Sequence, residues 1–192
     1  MLEEEYQPRR VLPAHLRAPK EPERGFEFTI RDAVETDLPH VREIYNYYVL
    51  NSVVTFDEDR MTLREWQSKF KLLSSKKLPF LVAESPSGNL LGYALAAPWR
   101  TKAAYRFTAE DSIYLGPAAG GKGLGKALLA ELIVASKRAG LKELVAVIAD
   151  QGAEASMKLH EQLGFKEIGR MGRVGFKFDR WLGTVLLQKS LK

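Results

Sequence analysis

Ser112-Ile113-Tyr114-Leu115-Gly116-Pro117 leads through Gly120-Gly121-Lys122-Gly123-Leu124-Gly125 into Lys126-Ala127-Leu128, and this stretch decides the fold. Its first part reads as an apolar strand and its middle as a turn built mostly of glycine. Its end opens a helix over Lys126–Arg138, with Ala127, Leu128, Leu132 and Ala135 at helical spacing and Gly140 as the stop. Strand, glycines and helix start together make an anion cradle. Without side chains in the way, several backbone N–H groups can converge on phosphate oxygens, and the helix N-terminus adds partial positive charge. Gly116 to Lys122 has the spacing of a nucleoside-triphosphate loop, but the next residue must be Ser or Thr to hold magnesium and is Gly123. The dinucleotide fingerprint fails in register, because its last glycine, counted from Gly121, falls on Lys126.

Outward from the loop, the pattern alternates between strand and helix. Phe107–Leu115 reads as the strand that enters the glycines. Before it, Pro79–Glu84 and Leu90–Pro98 read as an antiparallel pair around a turn at Ser85–Asn89. Thr62-Leu63-Arg64-Glu65 is a capping box that opens a helix with Trp66, Phe70 and Leu73 inward. Thr36 or Asp37 caps an earlier helix with Leu38, Val41, Ile44, Tyr45 and Tyr48 on one face, and Phe26, Phe28 and Ile30 alternate as a strand does. After the loop come a short apolar strand, Leu144–Ile148, a helix over Ala153–Leu163, and two last strands, Phe165–Gly169 and Thr184–Gln188. The order predicts a mixed α/β domain over residues 26–192, antiparallel first and with βαβ character after residue 107. Residues 1–25, with Glu3-Glu4-Glu5 and four prolines, read as a tail or arm.

Composition narrows the function. The 192 residues suit one domain, with 28% charged and 45% hydrophobic residues. No apolar run approaches the ~20 residues of a membrane helix, and the charged, proline-broken start has no cleavable signal pattern, so a cytoplasmic protein without membrane contact is expected. The net charge of +5 is mild and spread, which argues against nucleic acid yet favours a small polyanion. Cysteine is absent, which excludes disulfides, thiolate metal sites and a cysteine acyl-enzyme. His15, His40 and His160 lack ligand spacing with partners, so no metal site is expected.

The loop and its flanks resemble the acetyl-coenzyme A signature of the GNAT acetyltransferases, in which the pattern (Gln/Arg)-x-x-Gly-x-(Gly/Ala) places its two glycines at Gly123 and Gly125. The resemblance covers about residues 28–189. It is closest to the phosphinothricin and methionine-sulfoximine N-acetyltransferases, through Ile44-Tyr45-Asn46, Thr55-Phe56-Asp57-Glu58, Tyr105-Arg106-Phe107-Thr108-Ala109-Glu110, Leu159-His160-Glu161-Gln162-Leu163-Gly164-Phe165 and Lys177-Phe178-Asp179-Arg180-Trp181-Leu182. Two positions depart from the pattern: Gly120 stands where a basic or amide side chain assists the pyrophosphate, and Ala153 stands where many relatives carry an asparagine.

The resemblance implies the GNAT fold, an α/β architecture whose mixed central sheet has antiparallel N-terminal strands, splayed middle strands and flanking helices. It implies acetyl-CoA as co-substrate, held by the backbone of Ile113, Tyr114 and Leu115, by the loop Gly120, Gly121, Lys122, Gly123, Leu124 and Gly125, and by Ser156. It makes Glu110 the base that takes the acceptor's proton, with Asp111 as its neighbouring alternative on the other face of the strand, and His160 the acid facing the coenzyme sulfur. Phe56, Glu58, Tyr105, Arg106, Thr108 and Lys177 are expected around a small amino-acid-like amine, with Arg106 as the clamp for its acidic group. The implied route is direct attack in a ternary complex, in a homodimer. A coenzyme A-binding module without turnover and a protein N-terminal or lysine acetyltransferase are the competing functions; transfer of isotope-labelled acetyl to a panel of amines separates the enzyme from the binding module.

Overall fold

The computed structural model describes residues 26–192, and the expected tail lies outside the described residues. Strands β1 (Thr29–Asp32), β2 (Phe80–Glu84), β3 (Leu90–Pro98) and β4 (Thr108–Leu115) pair antiparallel in sequence order. Helix α3 (Leu124–Arg138) then carries the chain across the sheet to β5 (Glu143–Ala149), which lies parallel to β4, as a crossover requires. Strands β6 (Lys166–Lys177) and β7 (Arg180–Ser190) form a hairpin, with β7 inserted beside β5, so the seven-stranded sheet runs β1-β2-β3-β4-β5-β7-β6.

The sheet has two covered faces. On one, α3 and α4 (Glu154–Gln162) bury Leu124, Leu128, Leu129 and Leu132 against Ala83, Ala94 and Ala96. On the other, α1 (Leu38–Asn51) and α2 (Leu63–Ser75) bury Leu38, Val41, Ile44, Trp66 and Leu73 against Phe80, Val82, Tyr93 and Leu95. Alternate residues of β2 and β3 thus feed opposite cores, as the pleat dictates. The capping box of α2 forms as the sequence predicts: Glu65 N–H donates to Thr62 Oγ1 at 3.3 Å and Thr62 N–H to Glu65 Oε2 at 2.7 Å. Such a cap contributes about 1 kcal/mol and fixes where α2 begins.

The last hairpin departs most from expectation. Two short strands were expected at 165–169 and 184–188, and the strands instead reach Lys177 and Arg180, joined by Phe178 and Asp179. Both turn residues have positive φ, 50° and 57°. That is the backbone of a two-residue hairpin turn, for which glycine or asparagine is the usual signal, so Phe-Asp hides it. Register shifts before Gly169 and before Gly175 further blur the alternation along β6. The first strand also starts later than expected. Phe26 and Phe28 precede β1 and pack against the α3/α4 core.

Candidate active site

β4 pairs with β3 along its whole length but with β5 only from Thr108 to Glu110. Beyond Glu110 the two parallel strands splay. Gly116 N–H bonds Leu91 of β3 at 2.7 Å, and the Phe107 carbonyl accepts from Lys142 and Glu143 on the β5 side. Alternation between these fixed points turns the N–H groups of Ile113 and Leu115, beyond the last paired residues Glu110 and Val145, into the gap without a strand partner. The Tyr48 hydroxyl donates to the Leu115 carbonyl at 2.8 Å from α1, which leaves the Leu115 N–H as the donor facing the opening.

A cavity of about 390 Å³ fills this gap. Of the expected coenzyme residues, Ile113, Tyr114, Leu115, Gly120, Gly125 and Ser156 line it. Gly121, Lys122, Gly123 and Leu124 do not. Gly121 and Gly123 have positive φ, 74° and 81°, and shape the loop so that α3 begins at Leu124. The Leu124 side chain is fully buried in the core, and the Lys122 ammonium turns back to the Ala118 carbonyl at 3.1 Å and over the Phe26 ring. A Cβ built on Gly120, Gly121 or Gly123 meets nothing within 4 Å. The glycines therefore leave open backbone at a helix N-terminus, which fits a polyanionic group arriving from outside. Ala153 lines the cavity with a methyl where an asparagine contact was missing from the sequence.

Glu110 and Asp111 stand on opposite faces of β4. Asp111 is on the α4 side, where its Oδ2 lies 2.8 Å from His160 Nε2 and both side chains are at most 2% exposed. His160 Nδ1 is 2.7 Å from the Ser156 carbonyl. A carbonyl only accepts, so Nδ1 carries a proton and Nε2 shares another with Asp111. Burial alone pulls the imidazole pKa down, but the Asp111 hydrogen bond and charge, with the Ser156 carbonyl, leave it above its ordinary value. Both ring nitrogens are thus engaged. His160 reaches the cavity as an acid only by releasing Asp111, a constraint that the sequence did not signal.

On the other face, Glu110 joins a second cavity of about 310 Å³, lined also by Tyr45, Phe56, Asp57 and Lys69. Val54, Glu110, Ser112, Tyr114 and Val147 line both cavities, so the two spaces share a wall that includes Glu110. Burial raises the Glu110 pKa, the neighbouring Asp111 adds to the rise, and Lys69 and Arg100 oppose it. Tyr45 donates to Asp57 Oδ2 at 2.5 Å and shares a 2.9 Å hydrogen bond with Thr55, which fixes the 55–57 loop over α1.

Of the six expected acceptor residues, only Phe56 lines this cavity. Arg106 lies outside it. Residues Ala103–Tyr105 form a 3-10 turn, so strand alternation does not yet apply at 106. The exposed guanidinium folds back to the Ala103 carbonyl at 3.3 Å and over the Phe107 ring. Tyr105 is exposed on the same turn, Glu58 is exposed, and Thr108 sits where β4 still pairs with β5. Lys177 is buried beneath the pocket rather than in it: its ammonium donates to the Thr55 carbonyl at 2.8 Å, and burial lowers its pKa. Lys69 was missed, although its place three residues after the inward Trp66 was visible in the sequence.

Comparison with known proteins assigns the class. Residues 30–186 match the profile of the acetyltransferase (GNAT) domain, and the chain belongs to that family. Within it, the chain is 39% identical over 184 residues to a phosphinothricin N-acetyltransferase of Alcaligenes faecalis, covering 93% of each chain. It is 40% identical over 163 residues to an L-methionine sulfoximine/L-methionine sulfone acetyltransferase of Pseudomonas paraeruginosa, covering 85% of this chain and 94% of the relative. The fold superposes with a TM-score of 0.81 on the structure of a GNAT superfamily phosphinothricin acetyltransferase from Sinorhizobium meliloti in complex with acetyl-CoA, at 43% identity and covering 85% of this chain and 88% of that one. The expected mixed sheet with splayed middle strands is the observed fold. Among the described residues no helix is long and apolar enough to cross a membrane, and no group of three or more side chains is placed to hold a metal ion.

Proposed function

We propose that the protein transfers an acetyl group from acetyl-CoA to the amino group of a small amino acid of the phosphinothricin, methionine sulfoximine or methionine sulfone type, by direct attack in a ternary complex. The observation that carries this reading is the meeting of two cavities at Glu110, one opening between the splayed strands and the other bounded by Phe56, Asp57 and Lys69. Two reactants can enter from opposite faces and come together across the wall that the cavities share, where Glu110 is the ionisable side chain.

Acetyl-CoA supplies a thioester whose carbonyl carbon takes the amine and whose thiolate departs. The chain's own groups do the rest. Open backbone at Gly120–Gly123 and the N-terminus of α3 receive the phosphates. The free N–H of Ile113 pairs with an amide along the gap as an added strand does, and the Leu115 N–H polarises the carbonyl. Glu110 takes the ammonium proton; its raised pKa brings it nearer to that of an α-amine, about 8. His160 returns a proton to the sulfur, its Nε2–H leaving Asp111 to do so.

The same reading makes the protein a cytoplasmic homodimer, supported by the exposed aromatic strip Phe176, Phe178 and Trp181 on the β6–β7 hairpin. The test is release of free coenzyme A thiol from acetyl-CoA across a panel of amino acids, peptides and simple amines. Thiol release with small amino acids supports the proposal. Release only with peptides moves the assignment to protein acetylation, and coenzyme A binding without release with any acceptor leaves a binding module.

A further inference from the structure

Lys69 is an uncommitted cation on the wall of the cavity beside Glu110. Trp66, 1% exposed, anchors α2 against the sheet. Lys69, one turn further on, faces the same way, with its ammonium 5.2 Å from the centre of the Trp66 ring. Glu110 and Asp57 line the same cavity, yet Lys69 makes no ion pair among the described residues. Burial draws its pKa below the ordinary lysine value, while Glu110 and Asp57 push it back up. A half-buried ammonium with no carboxylate in direct contact is stabilised by an anion that enters. The cavity therefore presents two carboxylates and one ammonium, the complement of a zwitterion.

We infer that Lys69 determines acceptor specificity by holding the anionic group of an amino acid, its α-carboxylate or a side-chain phosphinate, while Glu110 faces the amine. The inference rests on the acetyltransferase reading above and deepens it by naming the group that the site selects. It also fills the place that Arg106, folded away on its own turn, leaves open.

The test measures kcat and KM for three acceptors: methionine sulfone, phosphinothricin and the decarboxylated amine of methionine sulfone. In K69M the KM for the amino acids should rise ~10- to 100-fold, as loss of one charge-assisted hydrogen bond predicts, with kcat within ~3-fold. The decarboxylated amine should change by less than ~3-fold, and K69R should recover part of the loss because it keeps the charge. K69Q repeats the measurement with a polar side chain, so that a packing defect in the methionine variant is not misread. A rise for both amino acids assigns the α-carboxylate to Lys69; a rise for phosphinothricin alone assigns the phosphinate. An equal fall for all three acceptors, with the acid limb of the pH profile moved upward, means that Lys69 acts through Glu110 and overturns the inference. Unchanged kinetics overturn it too. A parent enzyme that releases no thiol with any acceptor overturns the acetyltransferase reading itself, a result distinct from both.

Discussion

The two faces of the sheet are built on different principles. The α3/α4 face presents backbone: unpaired N–H groups on β4 and open glycines ahead of α3. The α1/α2 face presents side chains, Tyr45, Phe56, Asp57 and Lys69, from segments far apart in the chain. A backbone site depends on where strands separate more than on the side chains around it. A side-chain pocket depends on each residue that enters it, so selectivity belongs to this second face.

Glu110 sits where the faces meet, and its removal has the largest expected effect. Glu110→Gln should lower kcat at least ~100-fold, the lower end of what a positioned base contributes. Coenzyme A affinity should change little, because glutamine keeps the shape of the side chain and the backbone groups of the first cavity stay in place. The residual rate should lose the acid limb that the parent shows above the ordinary carboxylate range, since the raised pKa makes activity climb only as Glu110 ionises. Near-parental turnover in the variant would place the base elsewhere.

Asp111→Asn probes the coenzyme face alone. Removing one partner of a buried ion pair costs about 3 kcal/mol, and thermal unfolding monitored by circular dichroism reads that loss. The sign with pH follows from His160, whose folded-state pKa is raised. Its contribution is complete below the unfolded value of 6.5 and is lost as pH climbs through the raised folded value. The gap in Tm between parent and variant should therefore narrow over the range of pH rising above 6.5. A gap that stays constant over that range would mean that the pair does not hold its proton in the way its hydrogen bonds indicate.

Gly175→Ala probes the acceptor face. A Cβ at Gly175 comes 2.5 Å from the Phe56 ring, a distance that forces the ring to move. Phe56 is the one expected acceptor residue that lines the cavity. The acceptor KM should rise about 10-fold, an effect of misplaced substrate rather than lost chemistry, with coenzyme A affinity unchanged. An unaltered KM would remove Phe56 from the pocket's working wall.

The same division explains what was legible in the sequence. The strand, loop and helix beside the first cavity could be read because they are contiguous in the chain. Glu110 could be named as a candidate through the resemblance of the segment that carries it, Tyr105-Arg106-Phe107-Thr108-Ala109-Glu110. The acceptor face could not, because Phe56, Lys69 and Glu110 meet only through tertiary packing of α2 and the 55–57 loop against β4. The Asp111–His160 pair was hidden for a related reason: alternation correctly put Asp111 on the far face of β4 but gave no sign that α4 would bring a histidine to it. The β6–β7 hairpin was hidden by local chemistry, since Phe178 and Asp179 take positive φ without a glycine to mark the turn.

Arg106 gives the smallest expected effect and the sharpest contrast with Lys69. In the sequence it looks like the better clamp, a planar fork four residues before Glu110. Four residues along a strand would put both on one face, but the 3-10 turn at Ala103–Tyr105 breaks that alternation before β4 begins. The guanidinium is left exposed, bonded to its own turn and stacked on Phe107. Exposed contacts of this kind are worth about 0.5 to 1 kcal/mol and belong to the surface, not to the pocket. Arg106→Ala should accordingly keep the acceptor KM and kcat within about twofold of the parent, where Lys69→Met raises the KM many times more. Steady-state kinetics with methionine sulfone compare the two directly. If Arg106→Ala raises KM as much as Lys69→Met does, the turn must reorganise when the acceptor binds, and selectivity would then be shared between a helix already in place and a turn that moves to meet the substrate.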